Sequence, residues 1–168
     1  EIGPLKLTDG DLKFKISSEI SIDSNFQAIL VYQNDTINRN KLIKKINIFE
    51  NISNLNIDSN NNLKLTFDKT YKVKKYNFFS KGKIKNANLE FKNSLKNYLS
   101  NEIIEKINLV ETDFKFNISQ KKNIAELIGK YSFSDSNYQK FNLKNNSNND
   151  SLNLKLNIDY NKIIEIKH

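Results

Sequence analysis

The sequence predicts a mainly β protein, an antiparallel sheet with one apolar and one polar face. Three observations predict it. Apolar residues alternate with polar ones along almost the whole length, as at Leu12-Phe14-Ile16 and Leu152-Leu154-Leu156-Ile158. Ile, Leu, Phe and Tyr supply nearly all of the 38% hydrophobic content, and these side chains suit a pleated, half-buried surface. Clusters of Asn, Asp and Ser separate the alternating runs and can turn the chain.

Alternation of period two puts every second side chain on one face of a strand. It is under way at Leu5 and Leu7 and continues through Leu12-Phe14-Ile16 and Phe26-Ala28-Leu30-Tyr32. It returns at Leu63-Leu65-Phe67, Ala87-Leu89-Phe91, Phe114-Phe116-Ile118, Tyr131-Phe133 and Leu152 to Ile158. Between these runs, Asn34-Asp35-Thr36, Ser59 to Asn62, Ser134 to Asn137 and Asn145 to Ser151 are expected as turns, with Asn145 to Asp150 as a mobile loop. With only four Gly and one Pro, such turns must lean on Asn and Asp tolerating left-handed backbone.

Two stretches depart from the pattern. Leu95, Leu99, Ile103 and Ile107 recur at every fourth position behind Ser94, which predicts a short amphipathic helix near 94–107. Leu42, Ile43, Ile46 and Phe49 have helical spacing too, although Ile46 and Ile48 would serve a strand equally well.

A chain of 168 residues is one domain's worth and can fold around a core without metals or disulfides. No repeat of fixed period and no Gly/Ser- or Pro-rich linker divides it, so residues 1–168 are expected as a single β-rich domain. Glu1-Ile2-Gly3-Pro4 is neither an initiator Met nor a signal peptide, and alternation persists at Ile164 and Ile166; a piece of a larger protein is expected. No apolar run approaches the roughly 20 residues that span a bilayer as a helix.

Composition excludes several kinds of chemistry. Without Cys there is no thiolate nucleophile, Cys-ligated zinc or iron–sulfur cluster. The single histidine is His168, the last residue. Carboxylate pairs such as Asp9 with Asp11, Glu102 with Glu105 and Glu111 with Asp113 lie among solvated polar residues, without an apolar pocket to perturb them. Asp58-Ser59-Asn60-Asn61-Asn62 begins like a calcium loop, but Leu63 stands at the sixth position where the loop requires Gly. A polar hairpin turn is expected there instead. No phosphate-cradling Gly loop occurs, and the expectation is a protein without cofactor or catalytic centre.

The formal net charge is +8. Lys, Asn and Ile dominate while Arg39 is the single arginine, as AAA, AAT and ATT codons of an AT-rich coding sequence would give, so part of the charge is compositional. The densest basic segment includes Lys72, Lys74, Lys81, Lys83 and Lys85, the last three alternating on one face, with Tyr71, Tyr76, Phe78 and Phe79 among them. Lysines with aromatics can grip single-stranded nucleic acid. A hairpin with Lys outside and aromatics inside is the favoured reading of the same residues, since Arg and Gly are scarce and no RNA-binding signature is present. An anionic membrane surface is the other partner such a patch would suit.

An apolar sheet face must be covered by a second sheet, a helix or a ligand. A β-sandwich would place function in its loops; a curved open groove would leave the apolar lining to acyl chains. The stretch from Leu63 through Lys144 bears on this choice, especially Tyr71-Lys72-Val73-Lys74-Lys75-Tyr76-Asn77-Phe78, then Gly82 through Phe91, then Leu127-Ile128-Gly129-Lys130-Tyr131-Ser132-Phe133. Its cadence resembles the repetitive strands of AsmA-like proteins, the TamB/YhdP-type envelope lipid-transfer family. The resemblance covers about half the chain and carries no diagnostic motif. It implies a segment of a taco-shaped β-groove in the periplasm or cell envelope that conducts phospholipid between membranes, with an extracellular location as the alternative. The chain departs from the family in its small size and in lacking an N-terminal anchor.

The leading expectation is therefore a non-catalytic envelope domain that binds or conducts phospholipid or another acyl-chain ligand. Its candidate lining is Leu63, Leu65, Phe67, Leu89, Phe91, Phe114, Phe116, Tyr131, Phe133, Leu154 and Leu156. The same residues would equally build an ordinary core. The alternatives are an extracytoplasmic β-sandwich module recognising protein or glycan through its loops and, behind it, a basic nucleic-acid-binding domain.

Overall fold

The computed structural model describes residues 5–33, 51–96, 103–133, 137–148 and 151–159. They form eight strands: β1 (Leu5–Ile16), β2 (Ile20–Gln33), β3 (Ile52–Phe67), β4 (Val73–Lys96), β5 (Ile103–Ser119), β6 (Lys122–Phe133), β7 (Gln139–Asn148) and β8 (Leu152–Ile158). All eight belong to one sheet, ordered β1 to β8 as in the chain. Every neighbouring pair is antiparallel. Among the described residues the sheet is open, with β1 and β8 as its edges.

Of the two arrangements expected for the apolar face, the described residues form the single open sheet, and no second sheet packs on it among them. The short helix near 94–107 is corrected. Ser94–Lys96 end β4 and Ile103–Ile107 begin β5, with Leu95 opposite Ile104 and Lys96 opposite Ile103. The physical reason is that a repeat of four is an even step. It brings residues back to one face of a strand as surely as to one side of a helix, and β-branched Ile103, Ile104 and Ile107 favour the strand. Residues 97–102 lie outside the described residues, as do Asn34-Asp35-Thr36 and the ambiguous segment from 39 to 50.

One expected turn, and the first part of another, are strand. Ser59 to Asn62 sit in the middle of β3, and Asn145 to Asn148 complete β7. In β3 the polar side chains find partners on the sheet itself. Ser59 Oγ donates to the Ala28 carbonyl at 3.3 Å, and Asn61 Nδ2 donates to Ser59 Oγ at 3.1 Å. On the opposite face Asn62 Nδ2 donates to Asp23 Oδ1 at 3.0 Å and to Asn25 Oδ1 at 2.8 Å. Side-chain amides satisfied by neighbouring strands do not need to turn the chain.

The real turns use Asp, Asn and Ser as hydrogen-bond acceptors more than as left-handed residues. Between β3 and β4, Asp68 Oδ1 accepts from the backbone N–H of Thr70 at 2.8 Å and of Lys72 at 3.1 Å. There the left-handed residue is Tyr71, at φ 60°. Between β7 and β8, Asn148 Oδ1 accepts from the Ser151 N–H at 2.7 Å. Between β5 and β6, Ser119 Oγ accepts from the Lys122 N–H at 3.2 Å.

A strand of the length of β4, 24 residues, cannot keep one face apolar by simple alternation unless its phase stays fixed. Here the phase changes, and each change falls at a bulge. On β1 the apolar positions are odd at Leu5 and Leu7 and even at Leu12, Phe14 and Ile16; the register shifts between Thr8 and Gly10, with Asp9 at φ 42° as the extra residue. On β4 they are even from Tyr76 through Ile84 and odd from Ala87, and Lys85 is the extra residue against β3. On β5 they are odd through Leu109 and even from Phe114, with a shift between Val110 and Asp113 and Glu111 at φ 48°. A bulge adds one residue to one strand, so it restores the apolar set to the same face.

The core lies along the middle of that face. Tyr32, Leu55, Ile84, Ala87 and Phe114 are buried together, with Leu30, Ile57, Leu109 and Leu127 packed against them. These residues come from β2 to β6, so central strands carry the burial. Small residues make room beside the rings: Ala28, Ser59 and Gly82 form a cross-strand row that leads to Phe114, whose ring stacks on Phe116 with centroids 5.1 Å apart. At Gly82 the strands approach so closely that an added Cβ would lie 2.7 Å from Ser59 Cα.

Candidate apolar binding face

All the candidate lining residues lie on strands, and cross-strand pairing ties them to one face. Leu63 faces Phe78 and Leu65 faces Tyr76 on β4; Leu89 lies between Ile52 and Ile107, and Phe91 follows two residues along β4. Phe114 pairs with Leu127 and Phe116 with Ala125, while Tyr131 pairs with Leu109 and Phe133 with Ile107. Leu154 and Leu156 continue the rows through Asn145 and Leu143. Phe67 stands opposite Ile20.

Their exposure divides them. Phe114 and Tyr131 are buried, and the other candidates on β3 to β6 are half-buried. Leu154 and Leu156 on β8 are exposed, at 60% and 55%. Several equally accessible apolar side chains of the face were not among the candidates. They are Leu12, Phe14 and Ile16 on β1, exposed at 56, 61 and 78%, together with Leu7 on the same strand and Leu152 and Ile158 on β8. Alternation signalled that they face the apolar side, but their exposure follows from edge position, which is a property of topology. The face thus runs from β1 to β8, driest at the buried core and wet along both flanks, with Asn145 and Ser147 of β7 standing between the core and Leu154 and Leu152.

Polar groups reach into this face at a few points. Tyr131 Oη donates to the Asp159 carbonyl at 3.0 Å and packs edge-on against Phe133 and Phe141. Thr112 is fully buried against Gly129, where a Cβ would come within 2.6 Å of Thr112 Cα, and its Oγ1 donates to the Val110 carbonyl at 3.1 Å. Burial pushes the Tyr32 phenol above its ordinary pKa, so it is neutral and a wall of the core.

The lysine candidates fall into two groups on the structure. Lys81, Lys83 and Lys85 line an open hollow on the polar face together with Asp58, Asn60, Asp113 and Lys115. Lys83 stands between Asp58 on β3 and Asp113 on β5, and Lys81 between Asn60 and Lys115. Lys72 precedes β4, and Lys74 is held by Glu19 at 2.7 Å, about 20 Å further down the strand at a rise of roughly 3.3 Å per residue. Tyr76 and Phe78 belong to the apolar face and Phe79 to the polar one, so the aromatics and lysines of this segment are largely segregated.

Carboxylates on the polar face are engaged by neighbours. A hydrogen bond from Lys130 at 2.7 Å, with the charge of the same ammonium, holds Glu111 below the ordinary glutamate range. Lys74 does the same to Glu19 and is itself raised by it. Asp11 is lowered first by Asn25, whose Nδ2 donates to it at 2.9 Å. Among the described residues no group of three or more His, Asp or Glu side chains converges to hold a metal ion, and no helix is long and apolar enough to cross a membrane. Comparison with protein-family models, with curated proteins and with solved structures gives no match for this chain.

Proposed function

We propose that this protein is a non-catalytic β-domain that binds acyl-chain lipid along its apolar face and passes it along that face. The observation that carries the reading is the pair of wet flanks. β1 and β8 each present four apolar side chains that are exposed on the same side as the buried core. Water-exposed apolar area of this kind, on the same side of a sheet as its core, marks a surface suited to being covered. Acyl chains suit it because their burial needs area and no directional partner.

Curvature of the sheet into a trough would bring the two flanks toward one lipid. The close approach at Gly82 and the bulges at Asp9, Lys85 and Glu111 support such bending, since bulges increase local twist. The resemblance of residues 63–144 to AsmA-like strands supports a place in the periplasm or cell envelope, and lysines on the polar face suit the anionic headgroups of phospholipid. The nucleic-acid reading draws less support, because Asp58 and Asp113 flank Lys83.

Native mass spectrometry of protein purified from cells without detergent tests the proposal. Bound phospholipid is expected, and replacing Phe14, Leu154 and Leu156 by Ser should reduce it while circular dichroism stays unchanged. A lipid-free native protein that also fails to take up phospholipid from vesicles would overturn the reading.

A further inference from the structure

Strand order sorts the hairpins to one end of the sheet. The β1–β2, β3–β4, β5–β6 and β7–β8 connections all lie there, whereas the described chain starts at Leu5, stops at Asp159 and leaves the strands after Gln33, Lys96 and Phe133 at the other end. The first three hairpins are described without a break, through Ile16 to Ile20, Phe67 to Val73 and Ser119 to Lys122. They are also tied together. Lys74, the extra residue where β4 shifts register against Thr66 and Phe67, donates from Nζ to Glu19 of the first hairpin at 2.7 Å. Its backbone carbonyl accepts from Gln120 Nε2 of the third, also at 2.7 Å. Asp68 braces the second hairpin, its Oδ1 accepting from Thr70 Oγ1 at 2.7 Å besides the two backbone N–H groups.

This end carries apolar and basic side chains side by side. Among the described residues the three most exposed large apolar side chains, Ile16, Tyr71 and Leu152 at 78, 77 and 71%, all belong to it. Tyr71 holds left-handed backbone, at φ 60°, where Gly or Asn would be less strained. A ring so exposed buries little within the chain, so the fold does not account for a tyrosine there. Lys15, Lys69, Lys72, Lys75, Lys121 and Lys122 are exposed on the same hairpins and make no ion pair among the described residues. Residues 15–20, 67–76 and 118–123 hold seven lysines against two carboxylates, and both carboxylates are engaged, Glu19 by Lys74 and Asp68 by its own turn.

We propose that this hairpin end docks on an anionic lipid bilayer, with Tyr71 and Ile16 entering the headgroup region and the lysines binding lipid phosphates around them. Tyrosine suits a boundary that is apolar on one side and wet on the other. The aliphatic side chains favour a bilayer over nucleic acid, because Ile16 and Leu152 offer a base neither an aromatic stack nor a hydrogen bond. Docking would stand the strands on the membrane and start the apolar face at the surface that holds acyl chains. It does not rest on lipid being carried along that face.

Sedimentation with vesicles of phosphatidylcholine, with and without phosphatidylglycerol, tests the docking. Binding is expected only where phosphatidylglycerol is present and should fall as salt is added. Lys69→Gln with Lys72→Gln should weaken it by about fivefold for each lysine, the size of one cation near an anionic surface. Lys81→Gln with Lys115→Gln, in the middle of the polar face and more than a Debye length from the hairpin tips, should leave it nearly unchanged. The chain has no tryptophan, so Tyr71→Trp gives a single reporter whose emission should shift to the blue on binding and be quenched by brominated lipid. No binding to anionic vesicles at low salt, an unshifted emission in the bound protein, equal losses from the two lysine pairs, or a single-stranded oligonucleotide bound more tightly than the vesicles would each overturn the proposal. Docking without uptake of phospholipid would support it and overturn only the carriage of lipid along the face.

Discussion

At position 82 a methyl group has nowhere to go. A Cβ built there would meet the Asp58 carbonyl oxygen and lie 2.7 Å from Ser59 Cα, both backbone atoms of the adjacent strand. Backbone cannot rotate aside as a side chain can. Gly82→Ala must therefore push β3 from β4 beside Ser80 and Ser59, and a loss of about 1–3 kcal/mol is expected from urea denaturation. Gly10 provides the comparison, since its nearest atom would be the Asn25 carbonyl at 3.1 Å, a contact a few tenths of an ångström can relieve. Gly10→Ala should cost clearly less, and equal losses at the two positions would refute the steric account. Gly82 was visible in the sequence only as an isolated glycine. The run Asp58 to Asn62 was misread at the same scale, because five polar residues signal a turn unless the neighbouring strands supply their hydrogen bonds. Ser24, Asp23, Asn25 and Ala28 belong to β2, more than 30 positions away, and a local reading cannot see them.

At the scale of the element, most strands were legible because alternation survives in each, while their lengths were not. Leu63-Leu65-Phe67 is only the end of a strand that begins at Ile52. The bulges carried a signal that went unused: the parity of the apolar positions flips between Leu7 and Leu12, between Ile84 and Ala87, and between Leu109 and Phe114. A phase flip without an intervening turn can only keep one face apolar if a residue is inserted into the ladder. The Glu111 bulge makes this testable through its ion pair with Lys130. Glu111 titrates below its ordinary value in the folded chain, so the pair stabilises above the unfolded glutamate pKa of about 4.5 and is lost as pH falls through the folded value. Glu19, Asp11 and Asp68 are lowered too, so the whole protein should weaken in acid. Lys74, raised by Glu19, contributes in the other direction, with stability fully present below its unfolded pKa of about 10.5 and lost as pH rises through its higher folded value. Glu111→Gln should be slightly less stable than the parent at pH 7, as expected for an exposed pair, and should lose less on going to pH 3. Urea midpoints at the two pH values check this; parallel losses in both proteins would remove Glu111 from the account.

At the scale of the whole molecule, the common apolar face was legible and the open edges were not, since alternation says which way a side chain points and nothing about where its strand sits in the sheet. The topology has its own consequence for dynamics. Each strand packs on its neighbours in sequence, and no second layer among the described residues ties distant strands together. Stability in such an arrangement is set mainly by nearest-neighbour contacts, as in repeat proteins, and it should grade across the sheet. The buried residues Tyr32, Leu55, Ile84, Ala87 and Phe114 tie β2 to β5, whereas every residue of β8 is exposed. Amide hydrogen exchange followed by mass spectrometry should therefore find the slowest exchange in β3, β4 and β5, with protection declining outward and least in β8. The gradient should flatten at the flanks once lipid covers them, because lipid adds contacts where β1 and β8 expose apolar side chains. Uniform protection from β1 to β8 in dilute, lipid-free protein would mean that the sheet opens as one unit, against the nearest-neighbour picture.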